Sequence, residues 1–279
     1  MKIFLTGGTG FIGSHFINEA LKQGHKISAL RGKKRKKNVL KKNNLAWIDS
    51  DLDKVDKKYL KNHDVLVHLA AFSANTPYAD LDECIYWNVY APSKLFMTAY
   101  EVGITNYIVT GSCFEYGYTK SGVYGIESLL KPNSSYPTSK ASSSIAFEGF
   151  AREKNISLTY LRIFQAYGDG EKETRFWPSL KKAALAGKNF EMSKGDQIRD
   201  FIPVNDIVEK LLNQIQKKNM PKKGEPKILH IASGKSLSLK NFAKKEWKKF
   251  NAKGFLKFGK KELKKGEQAK IISKRKDIV

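Results

Sequence analysis

The sequence predicts an α/β fold in which a doubly wound parallel sheet is covered by helices on both faces. A glycine-rich motif follows the first apolar strand, and short apolar strands then alternate with helical patterns. The length of 279 residues suits one large α/β domain with a small second lobe. Hydrophobic residues make up 41% of the chain, which is enough for a buried core and excludes a wholly disordered protein.

Strands and helices alternate regularly through the first half of the chain. The predicted strands lie at residues 2–6, 26–30, 45–49, 65–69, 107–110 and 158–162. Helical patterns lie near residues 13–23, 55–61, 82–101 and 137–153. Continuous apolar runs, such as that over 65–70, are typical of strands buried on both faces of a parallel sheet.

The motif GGTGFIG occupies residues 7–13, between the first predicted strand and the first predicted helix. Glycine allows the tight turn, lets a pyrophosphate approach the backbone and lets the helix pack closely on the sheet. The unpaired N–H groups of the helix N-terminus then face the phosphates. In this context the motif predicts a Rossmann-type dinucleotide site that includes Gly7, Gly10, Phe11, Ile12 and Gly13.

The alternation weakens after residue 168. Helices are predicted near 178–186, 205–217 and 239–250, and strands near 190–192 and 227–231. We therefore predict a dinucleotide-binding Rossmann domain over 1–168 and a small C-terminal substrate-binding lobe over 169–279, with some of its elements returning to the main sheet. The polar segment from about residue 260 is expected to be poorly ordered.

Arg31 ends the second predicted strand, where dinucleotide sites often carry an acidic residue for the ribose 2′-hydroxyl. An arginine suits a 2′-phosphate better than a hydroxyl. We therefore predict that NADP(H) is preferred and that NAD(H) is the alternative cofactor, with Lys33, Lys34 or Arg35 helping Arg31. The other interpretation is that Arg31 packs over the adenine or points to solvent.

The chain is strongly basic, with 51 Lys+Arg against 27 Asp+Glu and a formal net charge of +24. Such a charge attracts anions, which include nucleotide sugars as well as nucleic acids. Because the lysines are scattered along most of the chain, we expect no nucleic-acid partner. The sequence has no apolar run long enough to span a membrane. With two cysteines, we expect no disulfide framework, a cytoplasmic location and no metal site.

Tyr136 and Lys140 form a Y-x-x-x-K pair at the start of a predicted helix, which places both side chains on one face. A free tyrosine has a pKa of about 10, and a nearby ammonium favours its phenolate. The pair therefore predicts proton transfer at Tyr136. Ser112 ends a strand at the edge where such sheets bind ligands, so it is a candidate to hydrogen-bond the substrate oxygen. Its alternative role is to cap a local N–H.

These residues make the chain resemble the extended short-chain dehydrogenase/reductase family, which includes nucleotide-sugar epimerases, dehydratases and ketoreductases. The glycine motif resembles the family's cofactor turn, and Ser112, Tyr136 and Lys140 resemble its catalytic triad. We assign Tyr136 and Lys140 to cofactor binding as well, with Lys140 ordering the ribose. The resemblance covers most of the chain. Further matches are Asp51 and Leu52 on the adenine side, Leu69, Ala70 and Ala71 beside the nicotinamide, Asn88 near the active site, and the RDFIPVND segment over 199–206.

The resemblance implies a nucleotide-sugar substrate and a homodimer formed through the helices predicted at 82–101 or 137–153. We assign substrate contacts to Phe72, Ser73, Gln165, Arg175 and Arg199, of which Arg199 matches the family's contact to the sugar-nucleotide phosphates. Gln165 stands where the family often has asparagine. The stretch over 168–180 is similar to that of reductases acting on nucleotide-linked 4-keto-6-deoxyhexoses.

Three functions remain open from the sequence. The first is a 4-ketoreductase in which Tyr136 donates the proton, and the second is a nucleotide-sugar 4-epimerase with tightly bound NAD. The third is a non-catalytic Rossmann protein that binds nucleotides or RNA. The Ser112, Tyr136 and Lys140 set favours an enzyme. A 4,6-dehydratase is disfavoured because Cys113 and Phe114 stand where such enzymes of the family carry an Asp-Glu pair.

Overall fold

The computed structural model describes residues 1–32, 40–262 and 268–279. In chain order, the strands are β1 (Lys2–Thr6), β2 (Lys26–Arg31), β3 (Leu45–Asp49), β4 (Val65–His68), β5 (Asn106–Ser112), β6 (Val123–Tyr124), β7 (Ser157–Ile163), β8 (Gln165–Tyr167), β9 (Phe190–Glu191), β10 (Ile198–Pro203), β11 (Lys227–Ile231), β12 (Ser236–Ser238), β13 (Leu256–Lys257) and β14 (Lys270–Ser273). The helices are α1 (Phe11–Lys22), α2 (Leu81–Ile85), α3 (Ala91–Glu101), α4 (Ser135–Glu153), α5 (Phe176–Leu185), α6 (Val204–Gln214) and α7 (Leu239–Lys249).

Within these described residues, seven parallel strands form the main sheet in the order β11-β7-β5-β4-β1-β2-β3. The chain winds outward from β1 first through β2 and β3, and then in the other direction through β4, β5, β7 and β11. This doubly wound order confirms the predicted Rossmann-type fold. It also brings the carboxyl ends of the central strands to one edge of the sheet.

Alternate residues of the central strands pack against opposite helical layers. In β1, Ile3 and Leu5 pack with α1 and α6, whereas Phe4 packs with α3 and α4. Because successive side chains of a strand point to opposite faces, a sheet covered on both sides requires such continuous apolar runs. Both faces of the central strands are therefore buried.

A smaller part of the structure lies beyond the main sheet. Strand β10 pairs with β12, β14 and β8, and β9 pairs with β13. Helices α5 and α7 pack together around Leu180, Ala243 and Trp247. Strand β11 joins the main sheet beside β7, and α6 packs with α1, although both follow residue 168. The division into 1–168 and 169–279 stays a prediction, as do the homodimer and the cytoplasmic location.

The predicted strands and most of the predicted helices are confirmed, but the helix predicted at residues 55–61 is wrong. Short 3₁₀ turns occupy Leu52–Lys54 and Lys57–Tyr59 instead, separated by extended backbone at Val55 and Asp56. The Asp56 carboxylate accepts a hydrogen bond from the backbone N–H of Lys58 at 2.9 Å. Such a local bond competes with a helix, so the segment turns while Val55 remains buried.

The expectation of disorder from about residue 260 is wrong for residues 268–279. Ile271 and Ser273 of β14 are buried, and β14 lies between β10 and β6. Asp277 is buried too, and its carboxylate accepts a hydrogen bond from the Ile126 N–H at 3.1 Å. The segment is ordered because alternate residues of the short strand β14 are buried, a pattern that its overall polar composition does not indicate.

Across the three described ranges, no helix combines the length and apolar character needed to cross a membrane. The same ranges bring together no group of three or more His, Cys, Asp or Glu residues that could hold a metal ion.

The turn after β1 generates the first prediction. A Cβ added at Gly13 would lie 2.1 Å from the carbonyl oxygen of Gly7, whereas a Cβ added at the exposed Gly149 of α4 meets nothing within 4 Å. We expect Gly13→Ala to lower the free energy of unfolding by about 1–3 kcal/mol through overpacking. Gly149→Ala, the matched control, should raise it by about 0.5–1 kcal/mol. Urea unfolding measures both; equal midpoints for Gly13→Ala and the native chain would contradict the steric account.

Candidate active site

The glycine turn leaves a cradle at the N-terminus of α1. Gly7 has a φ of +76°, and a Cβ there would lie 2.5 Å from the Ala70 nitrogen. The N–H of Gly10 donates to the Gly7 carbonyl at 2.9 Å, and Gly10 is the N-cap of α1, where it provides no capping side chain. The free N–H groups of the first helical turn are therefore available to a phosphate. Phe11 and Ile12 lie in that turn, as the sequence predicts. These features fit a dinucleotide pyrophosphate.

Arg31 lies at the end of β2 and is bound to Asp49 at the end of the neighbouring β3. Its Nε donates to Asp49 Oδ1 at 2.6 Å, and its Nη2 donates to Oδ2 at 2.8 Å. This two-point ion pair directs part of the guanidinium away from a cofactor phosphate. The predicted helpers Lys33, Lys34 and Arg35 lie outside the described residues.

The other residues predicted around the cofactor lie at the same sheet edge. Asp51 follows β3 and precedes the 3₁₀ turn that contains Leu52. Leu69, Ala70 and Ala71 follow β4, where the N–H of Ala70 donates to Thr6 Oγ1 at 3.3 Å. This bond fixes the end of β4 beside the glycine turn, where the nicotinamide side of the cofactor is predicted.

Asn88 joins the strand-end loop to the helix that carries Tyr136 and Lys140. It lies in a π-helical turn, Tyr86–Tyr90, a feature that is frequent at functional sites. Its side chain accepts a hydrogen bond from the Phe72 N–H at 2.8 Å and donates to the Phe72 carbonyl at 3.1 Å. Its Nδ2 also donates to Ser139 Oγ at 2.9 Å. Ser73, the next residue of the loop, has a φ of +59°, and its Oγ accepts a hydrogen bond from the Ala79 N–H.

The structure brings the predicted catalytic residues together. Ser112 ends β5, and Tyr136 and Lys140 lie in the first turns of α4, which packs on β5. The Lys140 Nζ donates to the carbonyl of Thr110 on β5 at 2.7 Å. The Tyr136 phenol contacts the Ser112 hydroxyl, and all three side chains belong to buried residues. The arrangement places a phenol, a hydroxyl and an ammonium in one cluster.

Burial controls the charge states of this cluster. It raises the pKa of Tyr136 well above its ordinary value, with Glu115 adding to the rise and Ser112 opposing it, so the lowering expected from Lys140 is not what this structure gives. Burial lowers the pKa of Lys140 to about 8, although the Glu115 carboxylate opposes that change. At neutral pH the phenol therefore keeps its proton, which is the state that a proton donor to a carbonyl oxygen needs.

The predicted substrate residues lie on several elements. Gln165 lies on β8, beside Phe201 of β10. Arg175 precedes α5; its Nε forms an ion pair with Glu171 Oε1 at 2.7 Å, and its Nη1 donates to Asn75 Oδ1 at 3.1 Å. The latter bond links Arg175 to the loop that follows β4.

Arg199 on β10 is largely buried, and its guanidinium is held by backbone carbonyls. Nη1 donates to the Ile198 oxygen at 2.9 Å, and Nη2 donates to the Gln268 oxygen at 2.7 Å. Its charge opposes the rise that burial causes in the pKa of Cys113, which follows Ser112. Arg199 therefore lies on the side of the site where β5 ends.

Sequence reasoning missed Tyr78 and Glu115 near the cluster, and Glu171, which forms the ion pair with Arg175. The Tyr78 ring lies 5.5 Å from that of Tyr136, between centroids. Glu171 is largely buried, its Oε2 has no hydrogen-bond partner among the described residues, and burial raises its pKa to about 7. Glu115 is fully buried three residues after Ser112. Its position inside the SCFEYG segment could have revealed it, whereas no periodicity marks Tyr78 or Glu171.

Comparison with known proteins agrees with this geometry. Residues 3–232 match the sequence model of the NAD dependent epimerase/dehydratase family. Protein CapI of Staphylococcus aureus is 28% identical over 245 residues, which cover 80% of this chain and 72% of that protein. The dTDP-6-deoxy-L-talose 4-dehydrogenase (NAD(+)) of Aggregatibacter actinomycetemcomitans is 27% identical over 245 residues, which cover 86% of this chain and 87% of that enzyme.

A solved structure of MoeE5 in complex with UDP-glucuronic acid and NAD aligns with 99% of this chain and 91% of its own, with a TM-score of 0.83 and 25% identity. Both ligands of that structure, a dinucleotide and a nucleotide sugar, belong to the classes that the sequence predicts here. The glycine cradle, the buried Ser112, Tyr136 and Lys140 and the family match over residues 3–232 lead to one conclusion. This chain belongs to the NAD dependent epimerase/dehydratase family.

Proposed function

We propose that this protein reduces the C4 carbonyl of a nucleotide-linked 4-keto-6-deoxyhexose, with NAD(P)H as cofactor and Tyr136 as proton donor. The buried cluster of Ser112, Tyr136 and Lys140 at the carboxyl edge of the sheet carries the proposal. The name of the talose 4-dehydrogenase describes the oxidation of a 6-deoxyhexose at the same carbon. Cys113 and Phe114, in place of the acidic pair of the family's 4,6-dehydratases, support reduction over water elimination.

The chain's own side chains would handle the proton and the oxygen. The Phe114 N–H donates to Ser112 Oγ at 3.2 Å, which leaves the Ser112 hydroxyl hydrogen to donate to the C4 oxygen. As the carbonyl carbon becomes tetrahedral, the Tyr136 phenol transfers its proton to that oxygen, and the Lys140 ammonium stabilises the phenolate. A bound dinucleotide would supply the hydride. Arg175 and Arg199 would bind the diphosphate of the nucleotide sugar.

A 4-epimerase is the second candidate, and the matched family carries epimerases in its name. The same three residues would first remove the C4 hydroxyl proton and later return a proton to that oxygen. Inversion would come from return of the hydride to the opposite face of C4. Such an enzyme needs no external cofactor during turnover. The two candidates therefore differ in whether the dinucleotide is consumed.

The direct test supplies nucleotide-linked 4-keto-6-deoxyhexoses with each of several bases, together with NADPH or NADH. We expect cofactor oxidation in step with a sugar product that has gained two hydrogen atoms, measured by absorbance and mass spectrometry. Conversion of an UDP-hexose into its C4 epimer without added cofactor, with no cofactor oxidation by any keto sugar, would establish the epimerase instead.

Tyr136→Phe tests the proton donor. Phenylalanine keeps the ring but removes the phenol, so turnover should fall by about 10²–10⁴-fold. The cofactor dissociation constant, measured by titration calorimetry, should change by less than about threefold, because the phosphate cradle is untouched. Tyr78→Phe is the matched control, since it removes the neighbouring hydroxyl and should lower turnover by less than about tenfold. Equal losses in the two variants would remove Tyr136 from the proposed role.

Arg31 and Asp49 generate a prediction on cofactor choice. We propose that Arg31 still favours NADPH through the donors that Asp49 leaves, by about tenfold over NADH, the lower end of the range for hydrogen bonds to a charged group. Asp49→Asn should raise that ratio, because the carboxylate repels a 2′-phosphate, and Arg31→Ala should abolish it. Dissociation constants for both cofactors give the ratio. This role of Arg31 would be ruled out if the native chain binds NADH more tightly than NADPH and if Asp49→Asn leaves the ratio of the two dissociation constants unchanged.

A further inference from the structure

A fully buried carboxylate lies directly behind the candidate catalytic cluster. Glu115 belongs to the 3₁₀ turn Cys113–Tyr116 and is 0% exposed. Its Oε1 accepts hydrogen bonds from the Ser112 N–H at 2.7 Å and the Tyr160 hydroxyl at 2.9 Å, and its Oε2 accepts one from Arg162 Nε at 2.7 Å. Burial raises the pKa of the Glu115 carboxyl, and its ion pair with Arg162, the Lys140 charge and the Ser112 N–H oppose that rise by favouring the carboxylate.

Glu115 fixes the conformation of Ser112. The carboxylate holds the Ser112 N–H while the Ser112 Oγ accepts the Phe114 N–H, which is the reciprocal arrangement of a capping box. Hydrogen bonds therefore hold both the backbone N–H and the side-chain oxygen of Ser112. The direction in which the Ser112 hydroxyl can point thus depends on Glu115.

Glu115 also acts on Lys140. The Tyr160 hydroxyl lies 2.9 Å from Glu115 Oε1 and 3.1 Å from the Lys140 carbonyl oxygen, so it bridges the two residues. The Glu115 charge favours the Lys140 ammonium, whose surroundings also include the Thr110 carbonyl from β5 and His68 from β4. Burial lowers the pKa of His68 to about 3, so His68 contributes no positive charge.

Arg162 is itself held in place, so the carboxylate has a fixed partner. Arg162 Nη1 donates to the Tyr116 hydroxyl at 2.8 Å, and Tyr116 lies 2.5 Å from His230 Nε2. His230 Nδ1 lies 2.7 Å from Ser273 Oγ, which donates onward to the Lys274 carbonyl. These contacts are consistent with a chain of hydrogen bonds in which Tyr116 donates to Nε2 of a neutral His230, and His230 Nδ1–H donates to Ser273. Since burial lowers the pKa of His230 to about 3, no second charge competes with Arg162.

We propose that Glu115 is a positioning residue that holds Ser112 in its reactive orientation and provides the negative charge that keeps Lys140 protonated. This rests on the proposed function of Ser112, Tyr136 and Lys140. Both Glu115 oxygens are engaged by protein donors, so the carboxylate has no role as a general acid. Its effect reaches the substrate through Ser112 and Lys140.

The first test follows Lys140 itself, without substrate or cofactor. In protein carrying ¹³C-labelled lysine, one resonance should titrate near pH 8 and be absent from Lys140→Met. Glu115→Gln removes the charge, and it should move this midpoint down by about one unit, the lower end of the range for a nearby opposite charge. The double variant Glu115→Gln/Arg162→Met, which leaves no unpaired buried guanidinium, should show the same shift. Ser144→Ala loses a 3.3 Å contact to Arg162 and a 2.9 Å hydrogen bond to the Ala141 carbonyl but keeps the Glu115 and Arg162 charges, so it should show no shift.

The second test measures turnover in the reducing direction against pH. Because the ammonium is the active form of Lys140, turnover should fall as pH rises through its pKa. The Glu115 variants should lose turnover at a lower pH than the native chain, with kcat affected more than KM. Glu115 has a structural role alone if the folded double variant matches the native chain in two quantities. These are the titration midpoint of Lys140 and the pH at which turnover falls. A shifted midpoint in a chain that reduces no keto sugar would overturn the proposed function and leave the Glu115–Lys140 coupling intact.

Discussion

The organisation of the site depends on keeping a buried lysine charged. Lys140 is 2% exposed, and burial disfavours its ammonium. The Thr110 carbonyl and the charge of Glu115 oppose that penalty, and Arg162 in turn opposes the rise that burial causes in the pKa of Glu115. Without this compensation the pKa of Lys140 would be lower still, which would weaken its proposed stabilisation of a Tyr136 phenolate. The buried ion pair of Glu115 and Arg162 thus connects the packing of β5, β7 and α4 to the chemistry at the sheet edge.

Sheet topology explains how distant segments form one site. The carboxyl ends of β1, β2, β4 and β5 lie at one edge, so the glycine turn, Arg31, the loop after Leu69 and Ser112 meet there. Helix α4 crosses this edge with Tyr136 and Lys140 in its first turns. Asn88 then ties the loop to α4 through Phe72 and Ser139. Asn88 thus acts on the position of α4 and of the loop through hydrogen bonds.

Local patterns predicted most of the fold and brought the candidate site residues to notice, because glycine spacing, apolar periodicity and a Y-x-x-x-K pair are features of neighbouring residues. Long-range pairing was not predictable. Arg31 was interpreted as a phosphate ligand, but the neighbouring strand end supplies Asp49 as its partner, 18 residues later. Likewise, Gln268 supplies a carbonyl to Arg199 from 69 residues away. The order of residues 268–279 depends on pairing between β14, β10 and β6, which their polar composition does not reveal.

The proposed function requires Tyr136 and the dinucleotide to act together in reducing C4 of a nucleotide-linked sugar. Cofactor deuterated at its transferable hydrogen, incubated with protein and a nucleotide-linked 4-keto-6-deoxyhexose, tests this most directly when the product is read by proton NMR. We predict one deuterium at C4 for each cofactor oxidised, and none when Tyr136→Phe replaces the native chain over the same interval. Product without deuterium at C4, or deuterium at another carbon, would contradict the account.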